Sequence, residues 1–252
     1  MFDFPVDGGS RWVLYGLLIV WAALLVFGFI LGKPDPDRRR RMPLGARMGM
    51  SVALVIAASV WWRVGTGGTS LAGFGLFVFL GMASGFLGDL FMAGLIVPKP
   101  RNVIFGILSF GIGHVLYILG FVQAAAALGL DIDQVEPITL AIYLTIAVIL
   151  WLVFVRLPAR GRTMNLGTLG YSLLLSAMGA TAMALALQNG AFIPLAFGGL
   201  CFIASDLILG SQIMRGRSFR SIGDVIWITY TVAQMLIVYS SSPALRLLGQ
   251  VT

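Results

Sequence analysis

Eight long apolar stretches, separated by short polar or charged connections, divide the chain at about 12–32, 46–64, 71–97, 102–129, 137–156, 166–188, 191–214 and 222–241. Each is about the length an α-helix needs to cross ~30 Å of hydrocarbon, and each is too long for a barrel strand. A spanning segment must satisfy its backbone polar groups internally, which leaves helices. The pattern predicts an all-α fold, a polytopic membrane bundle of eight transmembrane helices. The third and fourth stretches are long enough to tilt. Small residues recur at four-residue spacing, as at Gly81 and Gly85, and predict close helix contacts. No connection exceeds about 15 residues, so residues 1–252 read as a single domain.

The connections alternate in charge. Lys33, Arg38–Arg41 and Arg47 follow the first stretch, Lys99 and Arg101 the third, Arg156, Arg160 and Arg162 the fifth, and Arg215, Arg217 and Arg220 the seventh. After the second stretch only Arg63 is near. Asp131, Asp133 and Glu136 follow the fourth, and the uncharged Gln188-Asn189-Gly190 the sixth. The positive-inside rule then predicts basic loops in the cytoplasm and both termini outside. A missed helix would break the alternation.

Composition agrees. With 59% hydrophobic and only 11% charged residues, a chain of 252 residues could not hide its apolar surface as a soluble domain. The net charge of +7 invites a nucleic-acid reading, but the arginines sit in loops between apolar runs and encode topology instead. The expected location is integral, multi-pass, in a bacterial inner membrane. Cys201 is alone, so no intramolecular disulfide forms. Asp3 and Asp7 precede the first stretch and no small-residue cleavage site follows it, so it reads as a retained helix.

Three ionisable residues interrupt the apolar runs: Asp89, His114 and Asp206. A carboxylate at the centre of a membrane helix costs roughly 2.5–3.5 kcal/mol on insertion scales, and such residues mark functional sites. At 1.5 Å per residue, Asp89 lies roughly 13 Å from Pro98, His114 roughly 18 Å beyond Asn102, Asp206 about 13 Å before Arg215, and Gln234 about 15 Å beyond Asp224. Four polar side chains on four helices thus fall in one layer, slightly to the basic side of the midplane. Helical spacing adds Phe110 and Tyr117 beside His114, Trp227, Tyr230 and Thr231 beside Gln234, and glycines beside each carboxyl. Ser205 adjoins Asp206 but points about 100° away. Ser84, Ser109, Ser176 and Ser205 are expected to bond back to their own helices. No Lys or Arg falls at the depth of the two carboxyls, and an unpaired carboxyl in apolar surroundings tends to keep its proton.

Much is excluded. One histidine and one cysteine cannot build a three-His or Cys-rich zinc site, and HExxH, G-x-S-x-G and P-loop motifs are absent. No metal or other cofactor is expected, and neither a nucleic-acid nor a protein partner.

Four motifs together resemble the YhhN-like family, which includes the mammalian lysoplasmalogenases: Gly88-Asp89-Leu90-Phe91, Phe110-x-x-x-His114-x-x-Tyr117, Phe202-x-x-Ser205-Asp206-x-x-Leu209 and Tyr230-x-x-Ala233-Gln234-x-Leu236-Ile237. Their order and spacing match over about residues 75–240. The resemblance implies eight helices and hydrolysis of the vinyl ether bond of a lysoplasmalogen, a lysophospholipid drawn from the bilayer, to a fatty aldehyde and a glycerophospho-base. By motif position, Asp89, Asp206 and His114 would be catalytic, with Tyr117, Tyr230, Gln234, Ser205 and Trp227 at the substrate. Where the family often carries Lys-Pro near the start of helix 2, this chain has Arg47.

Vinyl ether hydrolysis needs an acid for the β-carbon, an anion to stabilise the oxocarbenium ion, and water. Glycosidases meet the same demand with two carboxyls. Here one Asp would act as acid, with Asp206 favoured by its apolar flanks Ile203 and Leu207. The other, hydrogen-bonded to His114 or Gln234, would stabilise the cation and activate water. Arg101, Arg215 and Arg217 are candidates to meet the phosphate. The same carboxyls suit two alternatives, a proton-coupled transporter or a non-catalytic membrane binding protein; no inverted repeat or broken helix points to the first.

Overall fold

The computed structural model describes residues 4–251, so Asp3 lies outside the described residues. Eight helical spans are long and apolar enough to cross a bilayer, and no strand occurs among the described residues. The helices are α1 (Gly8–Leu31), α2 (Leu44–Val60), α3 (Ala72–Met92), α4 (Asn102–Leu128), α5 (Glu136–Leu150), α6 (Arg162–Gln188), α7 (Ile193–Arg215), α8 (Ile222–Tyr239) and α9 (Ser241–Val251). α2 and α5 each finish in a wider π-type turn, Trp61–Thr66 and Trp151–Val155. α9 follows α8 after a break at Ser240 and completes the eighth span. The protein is integral to a membrane. Its outer surface carries exposed side chains such as Ile19, Phe27, Ile112, Ile142 and Phe197, as lipid contact requires.

Helix ends follow local chemistry. Asp7 caps α1 by accepting from the Ser10 amide at 3.0 Å. Proline opens α5 and α7, where a missing N–H costs nothing. α3 ends earlier than its apolar stretch suggests. Gly94 adopts φ 73°, its amide bonds to the Phe91 carbonyl at 2.8 Å, and the Leu95 amide reaches back to Leu90 at 3.0 Å. This glycine-based stop is invisible to hydropathy, because Leu95, Ile96 and Val97 continue the apolar run beyond it. Asp89 therefore sits in the last turn of α3, roughly 5 Å from the helix end, a correction to the 13 Å expected from counting back from Pro98.

α8 lies at the centre, against α2, α3 and α7, with α4 and α6 closing the far side; α1 and α5 are peripheral. Trp21 Nε1 donates to Thr231 Oγ1 at 2.8 Å and fixes α1 to α8. The four basic loops gather at one end. The Ser221 and Gly223 amides bond to the Arg38 and Arg39 carbonyls, Arg160 donates to the Met214 carbonyl at 3.1 Å, and Asn102 to Met92 at 3.3 Å.

Glycine sets the closeness of α3 and α4. A Cβ on Gly81 would lie 2.5 Å from the Tyr117 ring, and one on Gly113 would lie 3.1 Å from the Gly81 carbonyl oxygen. Tyr117 is buried and held through its hydroxyl by Gln234, so its ring cannot swing aside. Gly81→Ala is expected to cost about 1–3 kcal/mol by overpacking, read as a lower thermal midpoint in detergent; an unchanged midpoint would show that the helices can separate freely.

Candidate active site

Two polar networks occupy the basic half of the bundle. The first surrounds Asp89, which is buried. Its Oδ2 accepts from Ser51 Oγ of α2 at 2.6 Å and from the Tyr230 hydroxyl of α8 at 3.0 Å. Gln234 Nε2 donates to the Tyr230 oxygen at 3.2 Å, and Gln234 Oε1 accepts from the Tyr117 hydroxyl of α4. Gly85 makes room, since a Cβ there would meet Gln234 Nε2 at 2.6 Å. Arg47, one turn before Ser51, acts electrostatically on both Asp89 and Asp224, and its guanidinium lies 5.4 Å over the Trp227 ring. For Asp89, though not for Asp206, this corrects the expectation that no Lys or Arg falls at the depth of the carboxyls. Arg47 starts among the loop arginines, and its side chain extends inward.

The second network surrounds Asp206 on α7. The Tyr171 hydroxyl of α6 donates to Asp206 Oδ2, and His114 Nε2 of α4 lies 3.2 Å from the same hydroxyl oxygen. His114 is 1% exposed, its Nδ1 has no hydrogen-bond partner, and the Phe202 ring meets it edge-on at 4.7 Å. Phe202 also packs on Tyr230 at 5.4 Å, and Phe110 packs on Tyr230 at 5.7 Å. These rings join the networks and keep the carboxyls apart. One carboxyl was expected to bond to His114 or Gln234; neither does, and a tyrosine intervenes each time.

A cavity of about 810 Å³ opens between α4, α5, α6 and α7. Its volume is within the range of small-molecule sites, roughly 300–1,000 Å³. The deep wall carries Asp206, Tyr171 and Phe110 among apolar side chains such as Ile107, Leu175 and Ile203, and the end at the basic face carries Arg101 and Arg160. Ile104 and Leu108 line the cavity and are also exposed on the lipid-facing surface.

Of the catalytic and substrate-binding residues expected from sequence, Asp206 alone is on the cavity wall. His114 stands behind Tyr171. Tyr117, Tyr230 and Gln234 belong to the Asp89 network. Trp227 lies beneath Arg47. Ser205 donates to the Ile226 carbonyl of α8 at 3.0 Å, and Ser84 to the Ser109 carbonyl of α4 at 2.8 Å. Both therefore brace neighbouring helices rather than their own. Among the candidate phosphate ligands, Arg101 lines the cavity. Arg215 is engaged by the Leu152 and Arg156 carbonyls, and Arg217 rests over Phe154. Arg160 was read only as a topology residue. Tyr171 and Ser51 were missed. Tyr171 lies nine residues into α6, roughly 13 Å deep, so the depth count that grouped the other four would have reached it.

A family model described as the YhhN family matches residues 42–241. No curated protein and no solved structure gives a significant match. The matched region runs from the start of α2 through α8 and contains both networks and the cavity, leaving out α1. It covers four-fifths of the sequence, and the chain belongs to the YhhN family.

Proposed function

We propose that the protein is a membrane-embedded hydrolase of lysoplasmalogen type, cleaving the vinyl ether bond to give a fatty aldehyde and a glycerophospho-base. The observation that carries this reading is one carboxyl, Asp206, on the wall of an apolar cavity whose other end holds two arginines. That arrangement suits an amphiphile with one chain and an anionic head group. Asp206 lies about 13 Å from the end of α7, a span that an arginine side chain and a glycerophosphate can bridge together. With the basic end in the cytoplasm, the lipid would enter from the inner leaflet of a bacterial plasma membrane, past Ile104 and Leu108.

The chemistry then needs one carboxyl at the substrate. Asp206, carrying its proton, gives it to the β-carbon of the vinyl ether. The C=C pair forms the new C–H bond, and the α-carbon and ether oxygen share the positive charge. The carboxylate left behind faces that charge across a largely apolar cavity, where electrostatic stabilisation is stronger than in water. Water adds to the α-carbon and returns a proton to Asp206. The resulting hemiacetal loses its hydroxyl proton as the glycerol oxygen gains one, and the C–O bond breaks. The net change is one water consumed, one aldehyde and one alcohol formed.

Purified protein incubated with vinyl ether, alkyl ether and acyl lysolipids of matched chain length is expected to release aldehyde from the vinyl ether alone, with activity retained in EDTA. Absence of product from every lipid by folded protein would overturn the reading. Substrate movement across a vesicle membrane without any product would favour a transporter instead.

A further inference from the structure

We propose that Tyr171 is the positioning residue of the Asp206 carboxyl: held by His114, its hydroxyl delivers one hydrogen bond to Oδ2 and leaves Oδ1 to exchange protons with a substrate in the cavity. The inference rests on the hydrolase reading above and assigns the residues that aim its acid.

A phenol has one proton. Tyr171 directs it to Asp206 Oδ2, so the phenol oxygen is left to accept. His114 Nε2, 3.2 Å away, is the only partner described for that oxygen, and it donates there as the Nε2–H tautomer. The reverse chain, Asp206 to Tyr171 to Nε2, requires the other tautomer. It would bury an N–H at Nδ1, where the described residues offer no acceptor. The chain is therefore polarised one way, from imidazole to phenol to carboxyl. Phe202, edge-on to the imidazole at an interplanar angle of 77°, keeps that ring from turning. Three helices, α4, α6 and α7, each contribute one member.

The consequence concerns the step at which charge develops. No protein group among the described residues bonds to Asp206 Oδ1, so that oxygen carries the exchangeable proton into the cavity. When it leaves for the β-carbon, the carboxyl becomes a carboxylate, and the bond from Tyr171 strengthens as a charge-assisted one. Tyr171 therefore favours the transition state over the bound substrate. No proton passes through it, since water restores the one that Oδ1 gave.

Four variants of the full chain test this: Tyr171→Phe, His114→Leu, His114→Gln, and Tyr171→Phe combined with His114→Leu. Tyr171→Phe is expected to lower kcat for aldehyde release roughly 10- to 100-fold, the loss of one hydrogen bond to a charged group, with KM within about twofold. His114→Leu should lower kcat too. His114→Gln, which places an amide N–H near the Nε2 position, should recover most of it, and the double variant should be no worse than Tyr171→Phe. A second readout does not depend on turnover. The infrared carboxyl band that vanishes in Asp206→Asn should shift in Tyr171→Phe, shift the same way in His114→Leu, and return in His114→Gln. An unshifted band, or unchanged kcat in Tyr171→Phe, overturns the assignment. If the parent protein releases no aldehyde from any lysolipid, the hydrolase reading fails and the band alone decides. Should Tyr171→Phe fold poorly, the contrast between the two His114 variants carries the test.

Discussion

Asp206→Asn is expected to lower aldehyde release by about 100- to 10,000-fold, the range for removing a general acid, while leaving the protein folded. The substitution preserves shape and still offers Tyr171 an oxygen to donate to, so the hydrogen bond that ties α6 to α7 survives. An amide has no proton that it can yield to carbon. Asp89→Asn should behave differently. Asp89 is off the cavity wall and bonded to Ser51 and Tyr230. Its amide can keep an oxygen towards those two donors, and any loss of rate should be at least about tenfold smaller than for Asp206→Asn. The measurement is kcat in detergent or nanodiscs, with thermal midpoints as the control for folding. Equal losses from the two variants would show that the cavity is not where the acid acts.

The largest effect on stability is expected at Asp224, in the first turn of α8. Its carboxylate accepts the Arg41 amide at 3.0 and 2.8 Å through its two oxygens and the Met42 amide at 3.0 Å. It thereby latches the loop between α1 and α2 onto α8. The loop and the start of α8 both hold a non-glycine residue in the left-handed region, Arg38 at φ 53° and Ser221 at φ 61°, and these two meet through the Ser221 amide and the Arg38 carbonyl. Such conformations persist only when the surroundings over-determine them. Asp224→Ala strands two amides, one of them on the buried Met42, and is expected to cost about 3 kcal/mol. The protein should melt earlier, and trypsin should cut sooner within Arg38–Arg41. Asp224→Asn, which keeps one acceptor oxygen, should lose less. Unchanged cleavage in Asp224→Ala would show that the loop is held by other contacts.

The helix count was legible in the sequence because each apolar stretch must cover the same hydrocarbon thickness, and loop charge checked the count independently. Clustering of the polar residues was legible because rise per residue is nearly constant, so depth can be read along each helix. Depth is an axial coordinate, however. It put Asp89 and Asp206 in one layer by counting back from Pro98, although α3 ends at Met92, and it was silent about which way each faces. The separation of the carboxyls by Phe110, Phe202 and Tyr230 depends on rotation about the helix axes and on packing between helices distant in sequence. Tyr171 escaped notice because a tyrosine in an apolar helix offends no rule of burial, whereas an aspartate does. Arg47 escaped for the opposite reason, since it was grouped with loop arginines although its long side chain turns towards the interior.

The cations at the end of the cavity, Arg101 and Arg160, are both guanidinium groups, and the whole chain holds only two lysines, Lys33 and Lys99. A catalyst that sets free an aldehyde exposes its own amines to Schiff-base formation, and a lysine beside the substrate would be the first to be modified. Arginine, charged throughout and non-nucleophilic at neutral pH, can bind a phosphate without that hazard. The cavity of about 810 Å³ has no lysine on its wall. On the proposed reaction, the aldehyde would therefore meet carboxyl, phenol, hydroxyl, thioether, indole, guanidinium and hydrocarbon on the cavity wall, and would leave for the lipid past Ile104 and Leu108.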